Sequence, residues 1–71
     1  MISRGKVIFY NRSKGYGFIA PDEGGENVFV NSTAVDLAGL ETLLEDQRVS
    51  FRIVIGAHTK KPQAHELRVE K

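Results

Sequence analysis

Over most of the chain, apolar positions recur with the two-residue period of β-strands. Lys6 to Asn11 (KVIFYN) is rich in β-branched and aromatic residues, and the Asn11-Arg12-Ser13-Lys14-Gly15 stretch supplies turn chemistry. A second strand follows in Tyr16-Gly17-Phe18-Ile19, where Tyr16 and Phe18 share one face and Ile19 takes the other. Pro21 and Gly24-Gly25 close it and open a third, in which Val28 and Val30 point inward and alternate with Phe29 and Asn31. Between Ser32 and Gly39 the pattern allows a helical turn capped by Ser32 or Thr33 and stopped by Gly39, too short for a stable helix. Leu40 to Asp46 is read as a loop. Val49, Phe51, Ile53 and Ile55 alternate with Ser50, Arg52 and Val54 in a fourth strand that begins amphipathic and ends apolar on both faces. After a polar, partly basic loop from Gly56 to Pro62, Ala64, Leu67 and Val69 belong to a fifth strand whose alternation breaks near His65 and Glu66, as a bulge would break it.

Five short strands with early meander connections and a longer crossing before the fourth predict an all-β fold. The architecture that fits best is a small five-stranded antiparallel Greek-key barrel, since closure protects the strand edges. A five-stranded SH3-like barrel matches the periodicity as well. At 71 residues the chain is expected to form one domain, residues 1–71. A chain this short buries only about 60% of its unfolded surface. It has no cysteine, so its core must hold without a disulfide or a thiolate zinc site. Lys6 interrupts the N-terminal segment before any apolar stretch of signal length develops, and a cytoplasmic protein is expected.

A net charge of +1 gives no reason by itself to expect a nucleic-acid partner, but the charges are segregated. Residues 1–21 carry Arg4, Lys6, Arg12 and Lys14 without an acid. Residues 22–46 carry seven acids without a base, and residues 47–71 carry six bases against Glu66 and Glu70. If the two basic thirds meet in space, they form a basic face on a nearly neutral protein.

Strand parity puts Tyr16, Phe18 and Phe29 opposite Ile19, Val28 and Val30, so the larger rings face water while aliphatics fill the core. Burying a large apolar side chain is worth roughly 1.5–3 kcal/mol, and a small protein would not forgo that three times without another use. Rings interleaved with Lys6, Arg12 and Lys14 offer what single-stranded nucleic acid needs, planar surfaces for bases and cations for phosphates. The structural reading of the same rings is a second small core, or packing under the Leu40 loop.

Gly5-Lys6-Val7-Ile8-Phe9-Tyr10-Asn11, Lys14-Gly15-Tyr16-Gly17-Phe18-Ile19, Pro21-Asp22-Glu23-Gly24-Gly25, Val28-Phe29-Val30 and Pro62-Gln63-Ala64, in that order, closely resemble the bacterial cold-shock proteins. The second segment is similar to that family's first ribonucleoprotein motif, and Val28 to Ser32 to its second. The resemblance implies an OB-fold barrel that binds single-stranded RNA and DNA across its second and third strands and acts as an RNA chaperone. It implies binding roles for Lys6, Lys14, Tyr16, Phe18 and Phe29, with Asn11 either contacting nucleic acid or bracing the loop. Departures from the family pattern are Ile8 and Phe9 in place of lysine and tryptophan, Asn31-Ser32 in place of His-Phe, and Leu40 in place of a phenylalanine. At about 1–3 kcal/mol per stacked base, losing the rings at Ser32 and Leu40 predicts reduced affinity. Phe9 still offers a smaller ring, Asn31 can hydrogen-bond a base edge, and Lys60 and Lys61 add charge in the last loop, although Lys61 replaces a glycine usual before Pro62.

The expected partners are thus single-stranded RNA and DNA, pyrimidine-rich, bound by a monomer or a dimer, with no membrane and no cofactor. An enzyme has little support, because His58 and His65 sit on separate elements with no acid placed to orient either. Gly15-x-Gly17 lacks the ending of a phosphate-binding loop, so these glycines are expected to serve a tight turn or a close backbone approach. The rival reading is a diverged interaction module whose apolar face, Ile8, Phe9, Phe29 and Leu40, docks a protein or a second copy.

Overall fold

The computed structural model describes residues 2–70. Among them lie β1 (Ser3–Asn11), β2 (Tyr16–Pro21), β3 (Val28–Asn31), α1 (Ser32–Leu37), β4 (Arg48–Ile55) and β5 (Pro62–Val69). The strands close into a barrel in the order β1-β2-β3-β5-β4. A straight meander would set β4 beside β3. Here β5 takes that place and β4 returns to β1, which is the Greek-key closure of an OB barrel. The β1–β2, β2–β3, β1–β4 and β4–β5 ladders are antiparallel, whereas β3 meets β5 in parallel, with Phe29 opposite Gln63. That parallel contact is the one departure from an all-antiparallel barrel among the described residues.

Inside sit the aliphatics the period places there. Val7, Ile19, Val28, Val30, Val35, Val49 and Phe51 are almost wholly buried, with Leu43, Ala64 and Leu67 beside them. Fully burying each of the larger ones is worth roughly 1.5–3 kcal/mol. The alternation continues along β4 to Ile53 and Ile55, yet both are exposed, because β4 runs on beyond its pairing with β1, which reaches Ser3–Phe51.

Two bulges reset the period. In β1, Val7 opposes Ile19 but Phe9 opposes Phe18, so Ile8 is an extra residue on that strand. A two-residue period carried straight through would put Phe9 on the buried face of Val7. The bulge turns Phe9 outward and brings Tyr10 in against the core. In β5 the pairing jumps from Ser50–Arg68 to Arg52–His65, with Glu66 at φ 51, which is the break expected at that place.

After β3 the chain forms a six-residue helix rather than a single turn. Alone it would be marginal; burial of Ala34 and Val35 holds it on the barrel. Its cap is Asn31, not Ser32 or Thr33, with the Asn31 Oδ1 accepting from the Ala34 N–H at 3.2 Å. Leu40 to Asp46 is an irregular loop, as expected, and it runs on through Gln47. In the last loop, Gly56 and Lys61 close the turn through a 2.9 Å backbone bond. The left-handed residue there is Lys60, at φ 60, so Lys61 takes a glycine's place without needing a glycine's backbone. No helix among the described residues is long and apolar enough to cross a membrane.

Candidate nucleic-acid interface

Phe9, Phe18 and Phe29 lie side by side on the outer wall of β1, β2 and β3, because the registers Phe9–Phe18 and Phe18–Phe29 put them directly opposite one another. Their ring centroids are 5.8 Å apart at each step. Tyr16, two residues before Phe18 on the same face, stands edge-on to Phe9 at 5.9 Å and stacks on Phe29 at 6.0 Å with an interplanar angle of 14°. The expected trio is therefore a quartet. Its rings are not fully in water: Tyr16, Phe18 and Phe29 are half-buried against one another, and Phe9 stays 39% exposed. Mutual packing recovers part of the apolar burial that an outward placement gives up, with edge-to-face and offset geometries that suit aromatic quadrupoles.

Two glycines allow this wall to form. A Cβ on Gly17 would run into the Phe9 carbonyl and the Tyr10 backbone, so β2 can lie this close to β1 only without a side chain. Gly15, at φ 76, closes the turn between the strands and donates its N–H to the Asn11 carbonyl at 2.7 Å. Asn11 braces that turn, its Oδ1 accepting the Lys14 N–H at 2.9 Å. Of its two possible roles, bracing is the one the geometry displays.

Around the rings the cations are less free than the sequence implies. Lys6 shares the outer face, opposite Ala20, and its Nζ lies 3.9 Å from Asp46. Arg12 reaches Glu41 at 3.6 Å and Lys61 reaches Glu26 at 3.2 Å. These are exposed pairs, worth little each and weakened by salt. Lys14 and Lys60 make no ion pair among the described residues. Below the interface, Tyr10 has its phenol pushed above the ordinary tyrosine range, chiefly by burial and then by Asp36, against a smaller opposing effect of Arg12.

Beside Phe18 and Phe29 lies a mostly apolar pocket of about 270 Å3, walled on its far side by Thr59, Pro62 and Gln63. Lys61 lines this pocket, and Lys60, the loop lysine expected at the site, does not. Asn27 and Gln63 also line this pocket, although the sequence does not single them out; the parallel β3–β5 contact is what brings Gln63, from the Pro62-Gln63-Ala64 segment, to Phe29. Asn31 is exposed at the end of the ring face; its Oδ1 already accepts the helix-cap bond, so its amide N–H groups are the better placed to meet a base. Leu40 does not join the rings. It packs against the core together with Tyr10 and Ala38. The apolar face of Ile8, Phe9, Phe29 and Leu40 is thus not favoured as a docking surface, since Leu40 is partly taken up by the core.

Residues 3–70 match the family model described as the cold-shock DNA-binding domain. Among similar proteins, the cold shock protein CspB of Bacillus caldolyticus is 52% identical over 63 residues, covering 89% of this chain and 91% of its own length. The cold shock protein CspA of Rhizobium meliloti is 42% identical over 67 residues, covering 94% of this chain and 97% of its own. The cold shock-like protein CspE of Escherichia coli is 48% identical over 54 residues, covering 76% and 78%.

Proposed function

Because this chain belongs to the cold-shock DNA-binding domain family, we propose that it binds single-stranded RNA and DNA by stacking unpaired bases on Tyr16, Phe18, Phe29 and Phe9. The carrying observation is the ring quartet on the outer wall of β1–β3, outside a core built almost wholly of aliphatics. Lys6 and Lys14 draw in phosphates, with Lys61 and Lys60 at the far loop. Asn31 offers amide donors to a base edge, and Asn11 holds the turn that carries Lys14. Stacking is sequence-tolerant because every base has a flat face, and the expected preference is for pyrimidine-rich strands, whose flexible backbone adapts most easily. Residues 1–71 act as one domain and one monomer. A surface that captures bases only when they are unpaired shifts RNA away from its folded forms, and this is the physical content of chaperone activity. Binding and population shift account for the assembled residues without a catalytic step, and the cytoplasm, where transcripts are made and read, is the proposed site of action.

Anisotropy of a labelled oligothymidine across a salt series tests the reading. About three phosphate contacts on a single strand predict a log–log slope of roughly −2. Phe18→Ala and Phe29→Ala should each weaken binding by about fivefold to a hundredfold, at roughly 1–3 kcal/mol per stacked base. A flat salt profile together with unchanged affinity in both variants would refute it.

A further inference from the structure

The ring face does not end at Phe29. Beyond the Phe29–Gln63 pair, β3 gives way to α1 while β5 continues to Val69, so the two diverge. An open groove of about 940 Å3 runs from Phe29 and Asn31 along α1 to Arg68, near the upper end of the roughly 300–1,000 Å3 found for ligand sites. Its floor is small and aliphatic, with Ala34 and Leu67 buried beneath it, and Leu37 overhangs one wall at 85% exposure. Thr33, Gln63 and His65 supply polar groups along the rim. Of the two charges there, Glu66 is held by Arg52 at 3.2 Å, whereas Arg68 has no ion pair among the described residues.

We propose that this groove is a second track for the same single strand. It receives the nucleotides that follow those on the rings, with a base against Leu37 and a phosphate at Arg68. The inference rests on the ring face being the nucleic-acid surface. Three observations favour nucleic acid over a peptide here. Phe29 lines both the ring face and the groove, so the two surfaces adjoin there. The free guanidinium suits a phosphate, and a rim of amide, hydroxyl and imidazole groups suits base edges and sugar. Finally, a quartet of rings seats about four bases at most, the bottom of the range of about 4–16 nucleotides that OB folds occupy.

The test compares oligothymidines of about four and about ten nucleotides, the short one sized to the rings alone, by anisotropy and by amide shift mapping of the whole protein. Leu37→Ser and Arg68→Ala alter exposed side chains. Both variants should bind the long oligomer about threefold to tenfold more weakly and the short one as before, and Arg68→Ala should flatten the long oligomer's salt slope by roughly 0.7. Amides of Thr33, Leu37 and Arg68 should shift with the long oligomer only. If they stay still and both variants bind the long oligomer normally while ring-face amides shift, the groove proposal fails and the ring reading stands. If Phe18→Ala and Phe29→Ala both leave the two lengths unaffected and the salt profile is flat, the ring reading itself fails and takes the groove with it. Groove amides that shift with protein concentration alone would assign the groove to a second copy and overturn the proposal.

Discussion

Gly17 shows how much one missing side chain controls. A methyl group at this position meets the Phe9 carbonyl and the Tyr10 backbone from the neighbouring strand, so Gly17→Ala should push β1 and β2 apart where the rings depend on their closeness. Such overpacking costs about 1–3 kcal/mol, read as a lower urea midpoint, with weaker oligonucleotide binding alongside; an unmoved midpoint would mean the strands separate there without cost. At this scale much was legible. Tyr16, Phe18 and Phe29 against Ile19, Val28 and Val30 follow from parity alone, and the buried set agrees. Asn31 is half legible: its position suits a base contact, but an asparagine just before a helix competes for the backbone, and its Oδ1 accepts the Ala34 N–H. The partners of Lys6, Arg12 and Lys61 could not be foreseen, because Asp46, Glu41 and Glu26 lie far away in sequence and meet them only through the fold.

Among the elements, β1 is the one that a two-residue period misreads, because Ile8 is an extra residue and everything after it changes face. This yields an unusual expectation. Deleting Ile8 would make the β1–β2 ladder regular while leaving Val7 inside, Phe9 outside and Tyr10 inside. It would not touch the β1–β4 register, which runs from Ser3–Phe51 to Lys6–Arg48. The shortened chain should therefore unfold in one cooperative transition and still bind oligothymidine, whereas inserting one residue between Phe9 and Tyr10 should expose Tyr10 and abolish cooperative folding. Loss of folding in the deletion variant would show that the extra twist of the bulge, rather than the facing pattern, is what β1 needs. The bulge at Glu66 was legible because it interrupts an otherwise clear alternation in β5. The one at Ile8 was hidden, since Val7-Ile8-Phe9-Tyr10 is apolar throughout and shows no break.

Across the whole molecule, charges from distant parts of the chain converge at one place on the barrel. Arg48 on β4 forms a two-pronged ion pair with Asp22, the residue after β2, and also lies 4.0 Å from Glu70, which accepts from Arg4 on β1 at 2.7 Å. The Arg48 hydrogen bonds are the main reason the Asp22 carboxyl is held below the usual carboxylate range. A carboxyl whose pKa is lowered by folding stabilises the native state above its unfolded pKa of about 3.9, and that contribution fades as pH drops through the native value. Thermal unfolding of Asp22→Asn at pH 7 should therefore occur at a lower temperature than that of the parent, with the gap closing toward pH 2 and in high salt. A gap that persists in acid would point to lost packing instead. Closure of the barrel was legible from five short strands, but the parallel meeting of β3 and β5 was not, because neither Val28–Asn31 nor Pro62–Val69 carries a local mark of its neighbour. The opposite placements of the two tyrosines have an optical consequence. In a chain without tryptophan, ultraviolet emission comes from Tyr10 on the core and Tyr16 among the outer rings. Replacing Tyr10 with phenylalanine would leave a single tyrosine, excited apart from the phenylalanines at longer wavelength and seated where bases are expected to stack, so its dimming would report ligand arrival without any attached dye.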